Sequence, residues 1–218
     1  MTIIERDFYL RDTLTVAREL LGQVLVMESP EGVIKGRIVE TEAYIGPKDA
    51  AAHSYKHKGR GGSREAVQYG PGGHAYVYLI YGMYYCANIV TREAGFPEMA
   101  LIRAVEPLEG IELMRRRRRQ EKLTALCGGP GKLCQAFGID KTFFGADMCR
   151  PPFYVEWGEG LGPEERIAAT PRINIDYAGE ARDYPWRFIL ADSPFLSVRE
   201  KKGKGSRGWI AAKEKRQE

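Results

Sequence analysis

The run from Val33 to Tyr44 constrains the fold most strongly, because its β-branched residues and its alternation predict a long β-strand. We expect this strand to end before the turn signal Gly46-Pro47. A second β-patterned run, residues 23–27, precedes it, and the intervening Ser29-Pro30-Glu31-Gly32 is typical of a hairpin turn. The sequence therefore predicts an antiparallel hairpin from which a larger sheet can be built.

Two carboxylates and an aromatic ring share one face of the long predicted strand. Because side chains alternate across a strand, Glu40, Glu42 and Tyr44 point one way, whereas Val39 and Ala43 point the other way. Such a face is either a solvated strand surface that ends in a tyrosine or the wall of a pocket that holds a planar ligand beside a carboxylate. The alternation alone does not distinguish these interpretations, nor does it distinguish the two glutamates.

The other strand and helix patterns are intermixed without regular βαβ alternation. We therefore expect a single α+β domain with a curved, largely antiparallel sheet, surrounding helices and a protruding β-hairpin. The connection from Ile45 to Gly73 is predicted to be a long loop. Helices are predicted over residues 8–22 with Asp12 or Thr13 as the cap, from Pro107 into the arginine run, and over residues 132–137. Further strands are predicted over residues 75–81, 84–90, 99–104, 172–176 and 186–190.

A tight turn at Gly82-Met83 would place Tyr81 at or near the tip of a hairpin. The alternating Tyr76 and Tyr78 before it are typical of a half-buried sheet face. A ring at the tip has little core to join, and it could instead wedge between stacked bases. Arg103 lies in another predicted strand, and a buried guanidinium group needs a carboxylate partner.

Composition limits the classes of protein to which the chain can belong. Its 218 residues suit one domain, and 44% of them are apolar, which is enough for a full core. No apolar run approaches the ~20 residues of a membrane span, and the N-terminus lacks a signal-peptide pattern. We therefore expect a soluble, cytoplasmic protein. The four cysteines form no Cys-x-x-Cys pair, which favours free, buried thiols over a zinc site or a disulfide framework.

Basic residues are concentrated in residues 56–64, 115–119 and 199–216, within a chain of formal net charge +4. Each of these segments could contact nucleic-acid phosphates or form solvated surface, and the composition leaves both interpretations open.

Most other catalytic signals are weak in this sequence. Glu40, Glu42, His53 and His57 match no established spacing of metal ligands. The glycine-rich segments lack the context of a P-loop or of a dinucleotide fingerprint, and no nucleophile elbow is present.

Several long strings of this sequence resemble those of the alkyladenine (3-methyladenine) DNA glycosylase family, the type without a helix-hairpin-helix motif. The resemblance covers the chain from about Phe8 to Val198 in the order of the family. The strings are residues 37–47 (RIVETEAYIGP), 51–54 (AAHS), 76–84 (YVYLIYGMY), 101–110 (LIRAVEPLEG), 129–136 (GPGKLCQA) and 178–180 (AGE).

The resemblance implies a monofunctional DNA glycosylase that flips alkylated or deaminated purines out of duplex DNA and hydrolyses the N-glycosidic bond, leaving an abasic site. In this family Glu42 would be the general base that activates water, and Arg103 would help to hold the water and keep Glu42 ionised. The backbone carbonyl near Ile173 would be a further contact to the water. The resemblance implies no cofactor and no metal. We expect a single glycosylase domain at residues 1–198 and, from the Lys-rich composition, a basic, flexible tail at 199–218.

The family also implies a role for each residue of a base-binding pocket. Tyr44 would stack on the flipped base, with His53 and Tyr78 on the other face of that base, and such rings attract a cationic alkylpurine. Asn88 would crowd the 2-amino group of normal guanine. The remaining assignments are Ala51 and Leu101 as pocket walls and Tyr81 as the wedge that fills the gap left by the flipped nucleotide.

The expected partner is double-stranded DNA that contains damaged purines, bound from the minor-groove side by a monomer acting on chromosomal DNA. Two other functions would fit parts of the sequence. A catalytically silent nucleic-acid-binding protein would need neither Glu42 nor Arg103. A hydrolase of nucleosides or of another small N-glycoside would have no use for Tyr81 or for the basic segments.

Overall fold

The structure, a computed structural model, describes residues 2–56 and 63–198, with the backbone alone described for residues 63–65. Its sheet has eight strands among these residues, and every pairing is antiparallel. The order is β3-β4-β5-β2-β1-β6, while β8 pairs with both β2 and β7. The strands are β1 Val24–Ser29, β2 Gly32–Tyr44, β3 Ala75–Ile80, β4 Tyr84–Thr91, β5 Glu98–Glu109, β6 Phe153–Glu156, β7 Ile167–Thr170 and β8 Arg187–Leu190.

The helices surround this sheet, and the predicted α+β class is confirmed. The α-helices are α1 Arg6–Tyr9, α2 Thr13–Glu19, α3 Ser63–Gln68, α4 Ile111–Arg118 and α5 Pro130–Phe137. Short 3-10 segments are Gly46–Lys48, Leu123–Ala125, Lys141–Phe143 and Asp176–Asp183.

The predicted β1–β2 hairpin is present, and it forms the centre of the fold. Its strands pair from Val24 opposite Arg37 to Ser29 opposite Gly32. Ile38, midway along β2, is fully buried, as expected for a strand in the middle of the sheet.

Three register shifts interrupt the pairing of β2 with β5, one beside Pro107 and two on either side of Glu40. Val39 of β2 and Arg103 of β5 each lie between consecutive residue pairs and have no partner across the ladder. Because the two extra residues lie on opposite strands, the second restores the register that the first shifts. Bulges of this kind re-aim side chains, and here they accompany a guanidinium group directed to two carboxylates of β2. The flanking pairs are Ile38 with Val105, Glu40 with Ala104, and Thr41 with Ile102.

The prediction of one continuous helix over residues 8–22 is wrong. The segment forms α1 and α2, and Asp12 between them has an extended backbone with φ −52° and ψ 133°. Its carboxylate accepts a hydrogen bond from the backbone N–H of Thr15, so it caps α2, as predicted, and at the same time separates the two helices.

Pro107 does not begin a helix, contrary to the prediction. It lies in β5 opposite Gly36, beside a register shift, where the missing N–H of a proline is tolerated. The opposite residue, Gly36, packs closely against Val105, since a Cβ atom at position 36 would lie 2.5 Å from Cγ2 of Val105. Helix α4 begins only after Gly110, whose φ of +72° turns the chain out of the strand.

Two further expectations are corrected. Residues 172–176 do not form a strand, because Asn174 has φ +60°, which lies outside the extended conformation of a strand. The connection from Ile45 to Gly73 is not loop throughout, since it includes the Gly46–Lys48 turn and α3.

The cysteines are free, as predicted. Cys86, Cys127 and Cys134 are buried, and Cys149 is half-buried. Burial raises the pKa of the Cys127 thiol to about 12, so this thiol stays protonated and packs as a small apolar group.

In the ranges 2–56 and 63–198, no helix is long and apolar enough to cross a membrane.

Candidate active site

A cavity of about 470 Å³ opens beside the β3–β4 hairpin, between the start of α5 and the segment 173–177. Most of the side chains singled out from the sequence line it, although they come from separate strands and loops. Those side chains are Tyr44, Ala51, His53, Tyr78, Tyr81, Asn88, Leu101 and Arg103.

Glu42 lies beneath this lining with no exposed surface. Its Oε2 accepts a hydrogen bond from the Tyr44 hydroxyl at 2.8 Å and one from Nη1 of Arg103 at 3.2 Å, and its Oε1 accepts one from the backbone N–H of Ile173 at 2.8 Å. A carboxylate oxygen has two lone pairs, so Oε1 keeps one acceptor position beyond this bond. The interpretation of this strand face as solvated surface is therefore wrong.

Arg103 bridges the two carboxylates of the β2 face. Its Nε donates to Oε1 of Glu40 at 3.0 Å, while Nη1 reaches Glu42. Burial lowers the pKa of Arg103, but the charges of Glu42 and Glu40 outweigh burial and raise this pKa above its ordinary value. The guanidinium group consequently remains charged inside the protein.

Glu40 accepts four hydrogen bonds from the described residues, one more than Glu42, and one of the four comes from Nε of Arg103. Its carboxylate accepts hydrogen bonds from Nε of Arg187 at 2.8 Å, from the backbone N–H of Ser197 at 2.6 Å and from the Ser197 hydroxyl at 2.7 Å. Burial raises the pKa of Glu40, but Arg187, Arg103 and the Ser197 bonds together bring it below its usual value. Glu40 is thus an ionised carboxylate, and its Oε1 already accepts three hydrogen bonds.

Aromatic rings surround the cavity above Glu42. The rings of His53 and Tyr78 lie 4.4 Å apart at 65°, and Tyr76 lies 5.6 Å from Tyr78. The guanidinium carbon of Arg172 lies 4.8 Å from the centre of the Tyr44 ring. Burial, followed by the charge of Glu42, raises the pKa of Tyr44, so its hydroxyl stays protonated and acts as a donor.

Asp49 and Arg172 form an ion pair whose side chains are both 0% exposed, and the sequence reasoning missed it. The pair is bidentate, with contacts of 2.5 and 2.8 Å. Asp49 also accepts hydrogen bonds from the backbone N–H groups of Ile45 and Ala51, and Arg172 donates to the carbonyl of Ala43. The pair therefore joins the end of β2 to the segment that supplies Ile173. The sequence carries no local signal for this pair, because the two residues are 123 positions apart in the chain.

The walls of the cavity are fixed by the strand ladder. Asn88 lies opposite Leu101 in the β4–β5 pairing, and its Nδ2 donates to the carbonyl of Tyr76 at 3.0 Å. Cys86 also lines the cavity, although it was not predicted to do so. Burial raises the pKa of its thiol to about 11, so this group is neutral near pH 7.

Tyr81 lies at the tip of the β3–β4 hairpin and is 73% exposed. It and Gly82 have φ of +52° and +68°, and the N–H of Met83 bonds to the carbonyl of Ile80, which is the geometry of a type I′ turn. The ring is thereby held outside the core at the mouth of the cavity. Tyr177, 74% exposed, lines the same mouth and was not predicted.

Of the three basic segments singled out from the sequence, only the arginine run lies wholly within the described residues. In the arginine run, Arg117 pairs with Glu31, and Arg115 pairs with Glu112, whereas Arg118 lines the cavity together with Lys132 of α5. Residues 57–62 and 199–218, including His57 and most of the two other basic segments, lie outside the described residues. Within the described ranges, no group of three His, Cys, Asp or Glu side chains could hold a metal ion.

Fold and cavity together define an α+β protein that encloses an aromatic-walled site above a buried, ion-paired carboxylate. The family model of the methylpurine-DNA glycosylases matches residues 7–194 of this chain. The chain therefore belongs to the methylpurine-DNA glycosylase family.

Individual relatives agree with this membership. A protein of Desulfitobacterium hafniense (strain Y51), named "Putative 3-methyladenine DNA glycosylase", is 49% identical over 209 residues, which cover 91% of this chain and 100% of that protein. A relative with the same name from Methanocella arvoryzae is 49% identical over 201 residues, or 91% of this chain and 98% of the relative. Another from Alkaliphilus oremlandii is 48% identical over 202 residues, or 89% and 98% of the two chains.

Proposed function

We propose that this protein is a monofunctional DNA glycosylase that removes alkylated purines such as 3-methyladenine from duplex DNA by hydrolysis of the N-glycosidic bond. The observation that carries the proposal is the buried carboxylate of Glu42, held by Tyr44, Arg103 and Ile173 beneath an aromatic cavity. A protein that only bound nucleic acid would gain nothing from the cost of burying this ion pair.

In the proposed reaction, the bond between the sugar C1′ and the purine nitrogen breaks with its electron pair leaving on the base. A water molecule supplies the oxygen that bonds to C1′, and Glu42 accepts the proton of that water. Oε1 of Glu42 has the acceptor position that such a water needs, since its other contact is the N–H of Ile173. The negative charge of Glu42 would also stabilise the positive sugar carbon of an oxocarbenium-like transition state. We place the backbone carbonyl of Ile173 as a second contact to the water.

The rings of the cavity supply the proposed binding of the base. Tyr44 would stack on one face of the flipped purine, with His53 and Tyr78 on the other face. An alkylated purine such as 3-methyladenine carries a positive charge, which the faces of electron-rich rings attract. Asn88, held by its bond to the carbonyl of Tyr76, would clash with the 2-amino group of normal guanine.

A purine inside the duplex cannot reach a carboxylate that has no exposed surface, so the reaction requires base flipping. Tyr81, exposed at the hairpin tip, would enter the minor groove and fill the gap that the flipped nucleotide leaves. We propose that the protein binds as a monomer. Its free cysteines suit the reducing conditions of the cytoplasm, where it would act on chromosomal DNA.

The same cavity would accept deaminated purines such as hypoxanthine. A neutral base departs less readily than a cationic one, because negative charge develops on it unless a ring nitrogen is protonated. We therefore expect slower release of hypoxanthine than of 3-methyladenine from duplexes of equal length.

The test is release of base from duplexes that carry 3-methyladenine, hypoxanthine or ethenoadenine, followed by alkali to cleave the strand at abasic sites. We expect abasic sites in at least the 3-methyladenine duplex and no release from free nucleosides. Binding without release would instead identify a catalytically silent DNA-binding protein. Release from nucleosides but not from duplexes would identify a small N-glycoside hydrolase.

A further inference from the structure

We propose that Glu40, fixed in place by Ser197, is a positioning residue that draws Arg103 away from Glu42 and so keeps Glu42 free to accept a proton from water. The inference rests on the proposed function, since it specifies how the general base of that reaction is maintained.

Arg103 is shared between two carboxylates and gives one nitrogen to each. Its Nε donates to Glu40 at 3.0 Å, and its Nη1 donates to Glu42 at 3.2 Å. An arginine that faces one carboxylate tends to form two parallel hydrogen bonds with it, which is the strongest arrangement available to the pair. Arg103 does not adopt this arrangement with Glu42, because Glu40 holds one edge of the guanidinium group.

Glu40 is itself fixed by groups from a distant part of the chain. Ser197 donates to it through both its backbone N–H and its hydroxyl, at 2.6 and 2.7 Å. Arg187 donates to it at 2.8 Å while also donating to the Thr170 hydroxyl and to the carbonyl of Val198. These contacts leave Glu40 in one position, from which it can hold Arg103.

The buried cluster contains two carboxylates, Glu40 and Glu42, and two guanidinium groups, Arg103 and Arg187. All four side chains are at most 8% exposed, so each charge acts on the others with little screening by solvent. Loss of the Glu40 charge would leave two cations and one anion. Arg103 would then turn fully onto Glu42, occupying its acceptor positions and strongly favouring its ionised form.

Four other titratable groups that interact with Glu42 carry no charge near pH 7. Tyr44 on the same strand, Tyr78 on β3, Cys86 on β4 and Tyr177 beyond Ile173 all interact with Glu42. Burial raises the pKa of each of these groups, so all four are neutral near pH 7. Arg103, poised between the two glutamates, is the charged group that responds when Glu40 is changed.

The experiment measures single-turnover release of N7-methylguanine from a duplex as a function of pH. This base already carries a positive charge and departs without further protonation, so the fall in rate at low pH reports the general base. In Glu40→Gln, we expect this acid limb to move down by about one pH unit and the plateau rate to fall about tenfold, because a more strongly paired carboxylate is a weaker base.

In a second variant we expect the acid limb to shift in the opposite direction. Arg187→Gln removes the competing cation, so Arg103 would move closer to Glu40 and Glu42 would lose part of its stabilising charge. Its acid limb is expected to move up, by about half a pH unit. Glu156→Gln is the matched control, since Glu156 is another buried, ion-paired glutamate, which pairs with Lys35 and does not line the cavity; the acid limb of this variant should stay in place.

An unmoved acid limb in folded Glu40→Gln overturns the proposal, because a purely structural glutamate would lower the plateau alone. If circular dichroism shows that Glu40→Gln is unfolded, the test rests on Arg187→Gln. An acid limb of Arg187→Gln that stays in place or moves down overturns the proposal. Absence of release by the wild-type protein is a different result. It would refute the proposed function itself, and with it the positioning role of Glu40, which depends on that function.

Discussion

The hydroxyl group of Tyr44 donates a 2.8 Å hydrogen bond to Oε2 of Glu42. The ring proposed to stack on the base and the carboxylate proposed to activate water are therefore in direct contact. Because the two residues stand on the same face of β2, separated by one residue, the strand itself sets their distance.

The first prediction separates the two functions of Tyr44. Tyr44→Phe keeps the ring but leaves Glu42 without one donor, so we expect near-normal binding of lesion-containing duplex and a fall in the rate of base release of about tenfold. Tyr78→Phe is the control, because the Tyr78 hydroxyl makes its hydrogen bond with Cys86 instead. Equal losses of rate in both variants would mean that the contact with Glu42 has no special role. Fluorescence anisotropy and single-turnover kinetics provide the two readouts.

The second prediction concerns the buried pair of Asp49 and Arg172. Asp49→Asn leaves a guanidinium group buried without its counter-charge, so we expect a loss of about 3 kcal/mol in the free energy of unfolding, measured in urea. Asp192→Asn is the matched control, because its partner Arg166 and Asp192 are 79% and 70% exposed and such pairs contribute little. A similar small effect in both variants would show that the buried pair does not anchor the site.

The third prediction concerns the hairpin tip. Tyr81→Ser should weaken binding to a duplex with a flipped base by about tenfold or more, because the gap in the stack stays unfilled. Stability should not fall, since the ring is 73% exposed. Leu108→Ser, at an exposed site on β5, controls for loss of an exposed apolar side chain. Unchanged affinity of Tyr81→Ser would show that this ring is not the wedge.

The fourth prediction is a pH dependence of stability. The hydrogen bond from Arg37, followed by one from the N–H of Gly162, lowers the pKa of Glu165 from 4.5 to about 2. A depressed folded-state pKa means that the pair stabilises the protein above about pH 4.5 and that this contribution is lost as the pH falls toward 2. In Arg37→Met, urea unfolding should therefore differ most from the wild type near neutral pH, and the difference should shrink on acidification. A difference that stays constant with pH would contradict this assignment.

Local patterns were sufficient to predict much of the fold. The β1–β2 hairpin, the strands on both sides of Gly82 and the cap at Asp12 follow from alternation and turn chemistry within short segments. The predictions failed where distant residues decide the conformation. Pro107 pairs with the distant Gly36 in the sheet instead of starting a helix, and Arg172, in a predicted strand, instead forms an ion pair with the distant Asp49.

The site residues also divide into those that the sequence predicted and those that depend on distant parts of the chain. The strings that resemble the family predicted the residues that line the cavity. No local pattern predicts that Arg103 lies at a β-bulge and contacts both Glu40 and Glu42. That arrangement depends on the register shifts between β2 and β5, and the contacting residues of these strands are more than sixty positions apart in the chain. Ser197, Arg187 and Asp49 were missed for the same reason, because their importance lies in partners that only the tertiary structure brings near.

Base release by Glu42→Gln tests the central claim most directly. The substitution keeps the size of the side chain but removes the proton acceptor, so we expect binding of a 3-methyladenine duplex to remain and single-turnover release to fall by at least about a thousandfold. Glu156→Gln, measured alongside, should release the base at close to the wild-type rate. Turnover by Glu42→Gln within tenfold of the wild type would contradict the assignment of Glu42 as the general base.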